Sequence, residues 1–147
     1  MSAASRFIPL SALAVILLTA CDTEPDRDFD LTEAHIIDTR ERYQWVVRHV
    51  EGARHIDWDC IVLGMQVLGI DEDEPIVIYG VSSSAASRAE TSLRNMDYRL
   101  VRNAGSVQEA AELLGRPIVQ ADDTGPDAED LAIEEACEER REIRHGL

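Results

Sequence analysis

Four apolar residues in succession, Ile76, Val77, Ile78 and Tyr79, stop at Gly80, and from Val81 to Ala86 no side chain is larger than valine. A β-favouring run with no polar face predicts a parallel strand buried on both sides. The small residues after it predict a loop that opens a helix. Ser83 or Ser84 supplies the cap, and Ala86, Ala89, Leu93 and Met96 recur at helical spacing as the buried face. Upstream, Ala34, His35, Ile36 and Ile37 form a strand that ends in an Asp38-Thr39-Arg40-Glu41 turn. Asp57 caps a helix whose Trp58, Ile61, Val62, Met65 and Leu68 share a face, with Gly69 closing it. Tyr98 to Val101 reads as another strand. Ser106-x-x-Glu109 is a capping box ahead of Val107, Ala110, Ala111 and Leu114, and Gly115 and Pro117 end that helix. Strands alternating with helices predict one α/β domain with a central, mostly parallel sheet flanked by helices.

Both ends of the chain differ from this middle. Arg6, an apolar segment over residues 10–18 and then Leu18-Thr19-Ala20-Cys21 make a secretory signal, too short to span a bilayer. The Leu-x-Ala-Cys ending resembles the bacterial lipobox, which implies cleavage after residue 20, lipid attachment at Cys21 and a place in the bacterial cell envelope on the periplasmic or external face of a membrane. A plain signal peptide with an incidental cysteine is the competing reading. Residues 21–29 form a polar linker, and Asp22 after the cysteine resembles an inner-membrane retention signal. Residues 30–116 are the expected folded domain and residues 117–147 an acidic tail. In that tail Glu134 and Glu138, and Glu135 and Glu139, repel at i,i+4, so a marginal helix or a flexible, solvated segment is expected.

The net charge of −15 becomes −16 once residues 1–20 are removed, leaving 127 residues. A chain this acidic is repelled by nucleic acid and by anionic lipid head groups, which excludes nucleic acid as a partner. Apart from Cys21 there are two cysteines, Cys60 and Cys137. An oxidising compartment permits a disulfide between them, but a pair of packed or half-exposed thiols is the commoner expectation. His49, His55, Asp57, Asp59 and Cys60 are all ligand types. Their spacing matches no zinc pattern and they run from loop through strand to helix, so neither metal nor cofactor is expected.

The chemistry of the chain centres on residues 80–86, namely Gly80, Val81, Ser82, Ser83, Ser84, Ala85 and Ala86. Amides converging at a helix N-terminus attract anions, and open parallel sheets bind ligands beyond the carboxyl ends of their strands. An ordinary strand-to-helix turn is the competing reading. The order of elements, with Asp38-Thr39-Arg40-Glu41, the stretch from Arg48 to Ile56 and Asn103-Ala104-Gly105, resembles the rhodanese family. It looks most like the single-domain envelope members of the phage-shock protein E type.

That resemblance implies a rhodanese-like fold and a sulfur-carrying cysteine directly after the strand, where this chain has Gly80. It also implies framework roles for Asp38, Arg40, His49 and Gly52 around the loop. Glycine offers no nucleophile and a serine hydroxyl forms no persulfide, so thiosulfate sulfurtransferase activity is not expected. Nor does the loop resemble the Cys-x5-Arg pattern of phosphatases on this fold, because Ala86 stands at the arginine position and Arg88 comes two residues later. The leading expectation is a lipid-anchored module that binds a small anion (thiosulfate, sulfate or phosphate) or a protein partner. Two alternatives stay open: an active sulfurtransferase using Cys60 or Cys137, and a partner-recruiting lipoprotein that acts through its acidic tail.

Overall fold

The computed structural model describes residues 29–122 and 127–146. The signal segment, Cys21 and the linker up to residue 28 lie outside the described residues. Strands β1 (His35–Asp38), β3 (Arg54–His55), β4 (Ile76–Gly80) and β5 (Val101–Ser106) form a parallel sheet in the order β3-β1-β4-β5. Helices α1 (Arg42–Val47), α2 (Ile61–Leu68), α3 (Ser83–Arg94), α4 (Val107–Leu114) and α5 (Ala128–His145) surround it. Two short strands, β2 (His49–Val50) and β6 (Ile118–Val119), pair antiparallel beside it. They are too short to leave a periodic signal, and the sequence reading did not separate them.

The strand period of two sorts the core into halves. Ile37, Ile76 and Ile78 face Ile61, Met65, Ala89 and Leu93 on one side of the sheet, and Ile36, Val77 and Tyr79 face Val50, Val107 and Ala110 on the other. The continuous apolar run of β4 is therefore buried on both faces, as its composition predicts. All of its side chains are at or near zero exposure. The capping box at Ser106 forms: its Oγ accepts from Glu109 N–H, and Glu109 Oε2 accepts from Ser106 N–H at 2.7 Å. Ser106→Ala should cost about 1 kcal/mol in denaturant unfolding, the usual worth of an N-cap. A loss below about 0.3 kcal/mol would mean that packing alone sets the start of α4.

Three local expectations are corrected. The cap of α3 is Ser82, not Ser83 or Ser84: Ser82 is extended, its Oγ accepts from Ala85 N–H, and its carbonyl accepts from Ala85 and Ala86. Laying Ala86, Ala89 and Leu93 on the sheet requires helical backbone from Ser83 onward, which shortens the loop between β4 and α3 to two residues. Met96 falls past the end of α3 and is 47% exposed instead of buried. Trp58 belongs to a 3-10 turn (Trp58–Cys60) that precedes α2, and it is 45% exposed.

The tail departs furthest from expectation, because residues 128–145 form a docked helix of 18 residues. Ile133 and Cys137, one turn apart, point inward, and Cys137 is joined to Cys60 in a disulfide with the Cα atoms 5.8 Å apart. Arginines on other elements offset part of the negative charge at the start of this helix, including one of the repelling glutamates, Glu134. Arg42 pairs with Glu134, and Arg54 pairs with Asp127, Glu129 and Asp130. Among the described residues no helix is long and apolar enough to cross a membrane.

Candidate functional site

The site lies at the carboxyl edge of the sheet, where β1 and β4 end side by side. Asp38 terminates β1 with its carboxylate fully buried. A buried carboxylate is stable only if paired, and Arg40 closes back on it: Nε donates to Oδ1 at 2.9 Å, Nη2 to Oδ2 at 2.6 Å, and the Arg40 N–H to Oδ1 at 3.0 Å. Nη2 also donates to the Arg48 carbonyl at 2.5 Å, and the guanidinium lies 5.5 Å from the centre of the Tyr79 ring. Burial penalises the Arg40 charge, yet the Asp38 carboxylate more than offsets it and holds Arg40 above its ordinary range. Arg40 is thus spent on the framework. Burial, reinforced by Asp38, drives the Tyr79 hydroxyl well above the usual phenol range, so it stays neutral and accepts from Val50 N–H at 3.1 Å.

His49 stacks on Trp45 at 4.3 Å, and its Nδ1 lies 2.8 Å from the Trp45 carbonyl. Gly52 turns the chain between β2 and β3 at φ +80°, where a Cβ would meet Arg116 Nη1 at 2.7 Å. His55 Nε2 reaches the Arg40 carbonyl at 2.7 Å. Of the five ligand types noted between residues 49 and 60, the fold places Asp59 and Cys60 beside Cys137, their ligand atoms within 4.8 Å of one another. Both sulfurs are committed to the disulfide and Arg141 covers Asp59 at 2.9 Å, so that cluster does not offer three free donors.

Gly80 ends β4 directly below the first turn of α3. A Cβ at Gly80 would come within 3.1 Å of Ala86 N and 3.4 Å of both the Ala85 Cβ and the Ser82 carbonyl oxygen, and Gly80 does not occupy the left-handed region. Asn103 Nδ2 on β5 donates to the Ser83 carbonyl at 2.9 Å, which fixes the start of α3 against the sheet. The first N–H groups of α3, on Ser83 and Ser84, have no intrahelical partner. The amides of Ala85 and Ala86 are already used in the cap, so fewer amides are free for a ligand than the full stretch of residues 80–86 suggests.

Val81, 58% exposed, stands as a ridge between two clefts that share Arg40 and Gln44. One, about 360 Å³, is lined by Tyr43, Val47, Arg48 and Gly80. The other, about 410 Å³, is lined by Glu41, Trp58, Ser84, Ala85 and Arg88. Arg88 lies over the Trp58 ring at 5.4 Å. Arg48 is steadied by Gln108, whose amide oxygen, turned toward it, accepts at 2.5 and 3.3 Å. No local signal gave Arg48, Trp58 or Gln44 a role at this site, although Trp58 is expected on a helix face and Arg48 opens the family-like stretch to Ile56. The sequence reading noted Arg88 only as misplaced, although one helical turn past Ser84 puts Arg88 on the same face as the loop. That i,i+4 relation was the available signal.

The model of the rhodanese-like domain family matches residues 26–112. Among solved structures, one described as a rhodanese with anions from E. coli is 26% identical, with a TM-score of 0.52, covering 60% of this chain and 99% of that one. A rhodanese-like domain from Anabaena sp. is 22% identical with a TM-score of 0.52, covering 58% of this chain and 98% of that chain. A Helicobacter pylori protein solved in solution is 17% identical with a TM-score of 0.50, covering 67% and 88%. No curated protein matches the chain.

Proposed function

The chain belongs to the rhodanese-like domain family, and from that premise we propose that it is a member that no longer carries sulfur and instead binds a small oxyanion, or an anionic group on a partner, at the edge between β4 and α3. The single observation behind this reading is Gly80 at the end of β4 below the first turn of α3, a prepared position without a nucleophile. The anions held by the E. coli relative support the ligand class. Arg88 over Trp58 and Arg48 beside Gln108 put cations on either side of the loop, in a chain whose net charge is −15. With Glu41 also lining the Arg88 cleft, these two arginines supply the local attraction for an anion on an otherwise acidic molecule. Sulfur carriage by Cys60 or Cys137 is disfavoured, because each sulfur is bonded to the other and both residues are buried. Lipid attachment at Cys21 would tether the domain at the periplasmic or external face of a bacterial membrane, with the partner protein reached from there.

A thermal-shift titration tests this. Millimolar sulfate or thiosulfate should raise the midpoint, since a ligand at 100 times its Kd stabilises by about 2.7 kcal/mol. Arg88→Glu should abolish that rise while leaving the midpoint without anion nearly unchanged, Arg88 being exposed. The purified chain should show no thiosulfate-to-cyanide transfer. A flat titration, or turnover above background, overturns the reading.

A further inference from the structure

The 3-10 turn of Trp58–Cys60 is gripped from two sides. From α5, Cys137 holds Cys60 through the disulfide. Arg141, also on α5, donates through Nη2 to Asp57 Oδ2 at 2.8 Å and Asp59 Oδ1 at 2.9 Å, and through Nε to Asp59 Oδ2 at 3.3 Å. From α3, Arg88 stacks over Trp58. Each residue from Asp57 to Cys60 therefore touches α5 or α3, and the α3 contact is itself a wall of the cleft beside Val81.

Apart from the disulfide, α5 is weakly held. Of its 18 residues, Ile133 and Cys137 are buried. The helix carries seven carboxylates (Glu129, Asp130, Glu134, Glu135, Glu138, Glu139 and Glu142) against three arginines, and it docks on an acidic chain. Long-range electrostatics thus oppose docking, and exposed ion pairs such as Arg42 with Glu134 contribute little. Asp130 Oδ1 is buried without a hydrogen-bond donor, 3.5 Å from Arg54 Nη1. Besides Ile133 and the part-buried pairs of Arg141 with Asp57 and Asp59, the covalent bond is the largest single fastening.

We propose that the Cys60–Cys137 disulfide is a redox latch on the anion cleft: reduction by a dithiol releases α5, loosens the turn that carries Trp58, and weakens anion binding at Arg88. This regulatory role rests on the anion-binding reading of the same cleft. The reductant's thiolate attacks one sulfur, the S–S bond breaks, and a mixed disulfide forms. The reductant's second thiol then attacks that mixed disulfide and leaves as a cyclic disulfide. Cys60 and Cys137 end as thiols, having gained two electrons and two protons in all. Although the two residues are only 2% and 4% exposed, both line an open cleft of about 500 Å³ between the turn and α5, which gives the reductant its approach. Once α5 leaves, Arg141 leaves with it. Asp57 and Asp59 then lose their counter-cation and draw Arg88 away from the anion.

The test compares the oxidised full chain with the same chain in dithiothreitol, both cysteines verified as free by thiol labelling. In hydrogen exchange, α5 should lose protection by about tenfold or more and residues 57–60 by several-fold, while β4 and β5 keep theirs. The sulfate Kd should rise about threefold or more on reduction, and Arg141→Gln with the disulfide intact should raise it similarly. Undiminished α5 protection after complete reduction overturns the latch. So does a released α5 with the turn and the sulfate affinity unchanged. If sulfate binds in neither state, the anion reading fails on its own and exchange at residues 57–60 decides the latch: loosening keeps it and no change overturns it. If β4 and β5 also lose protection on reduction, oxidised Arg141→Gln decides, with loosening of residues 57–60 expected and an unchanged turn overturning.

Discussion

Gly80→Cys should take up sulfur from thiosulfate where the parent chain takes none. The backbone at Gly80 is one that any L-residue adopts, and the new Cβ would sit 3.1 Å from Ala86 N and 3.4 Å from the Ala85 Cβ, so the first turn of α3 has to yield by only a few tenths of an ångström. The thiolate would then lie beneath the unpaired amides of Ser83 and Ser84, where a helix N-terminus lowers a thiol's pKa and favours the attacking form. That thiolate attacks the outer sulfur of thiosulfate, the sulfur–sulfur bond breaks, sulfite leaves with the electron pair, and a persulfide remains. Cyanide then removes the outer sulfur as thiocyanate and restores the thiolate. Loss of an enzyme's nucleophile costs on the order of 10⁶ in rate, so restoring one to a partly prepared pocket should return on the order of 10³ or more over the parent. Intact mass before and after thiosulfate, with reversal by a reductant, is the direct check. A folded variant that gains no sulfur would show that the loop does not cradle a thiolate, and it would also weaken the anion-binding reading.

Removing the disulfide should be the most destabilising change away from the site. The bond closes a loop with a sequence separation of 77 residues. Loop-closure entropy for that length gives about 4.5 kcal/mol, within the roughly 2–5 kcal/mol lost when native disulfides are deleted. Replacing both Cys60 and Cys137 with alanine should therefore lower the unfolding free energy by about 4–5 kcal/mol and the midpoint by about 12–25 °C. The two residues pack at 2% and 4% exposure, so lost side-chain volume adds to the entropic part. Chemical denaturation of the double variant beside the oxidised parent measures this. A loss under about 1 kcal/mol would mean that Ile133 and the ion pairs hold α5 by themselves, against the weak docking inferred from its charge.

Much of the fold was legible along the chain because its signals are local. The apolar run of residues 76–79 has no polar face, which requires a strand covered on both sides, and β4 is that strand. The capping box at Ser106 and Glu109 marks the start of α4 within four residues, and it forms as read. The start of α3 was misjudged by one or two residues because Ser82, Ser83 and Ser84 are equally good caps in isolation. What selects Ser82 is the register that brings Ala86, Ala89 and Leu93 onto the sheet, together with the Asn103 hydrogen bond to Ser83. The tail was misjudged for the opposite reason. Its local i,i+4 repulsions are real, but Arg42, Arg54, Cys60 and Asp57 lie far away in sequence, and a local pattern carries no trace of them.

By itself, then, the sequence determined a parallel α/β sheet, a small-residue loop at the end of its central strand, and a glycine, with no nucleophilic side chain, at the start of that loop. Each follows from nearest-neighbour chemistry: periodicity, caps and the presence or absence of a side chain. Only the tertiary structure decided that Arg40 is consumed by Asp38, that Arg88 and Trp58 form a wall of the cleft, and that α5 is fastened to the turn beside them. Those outcomes depend on which charges and sulfurs meet across long stretches of chain, and such meetings are set by how the helices pack on the sheet.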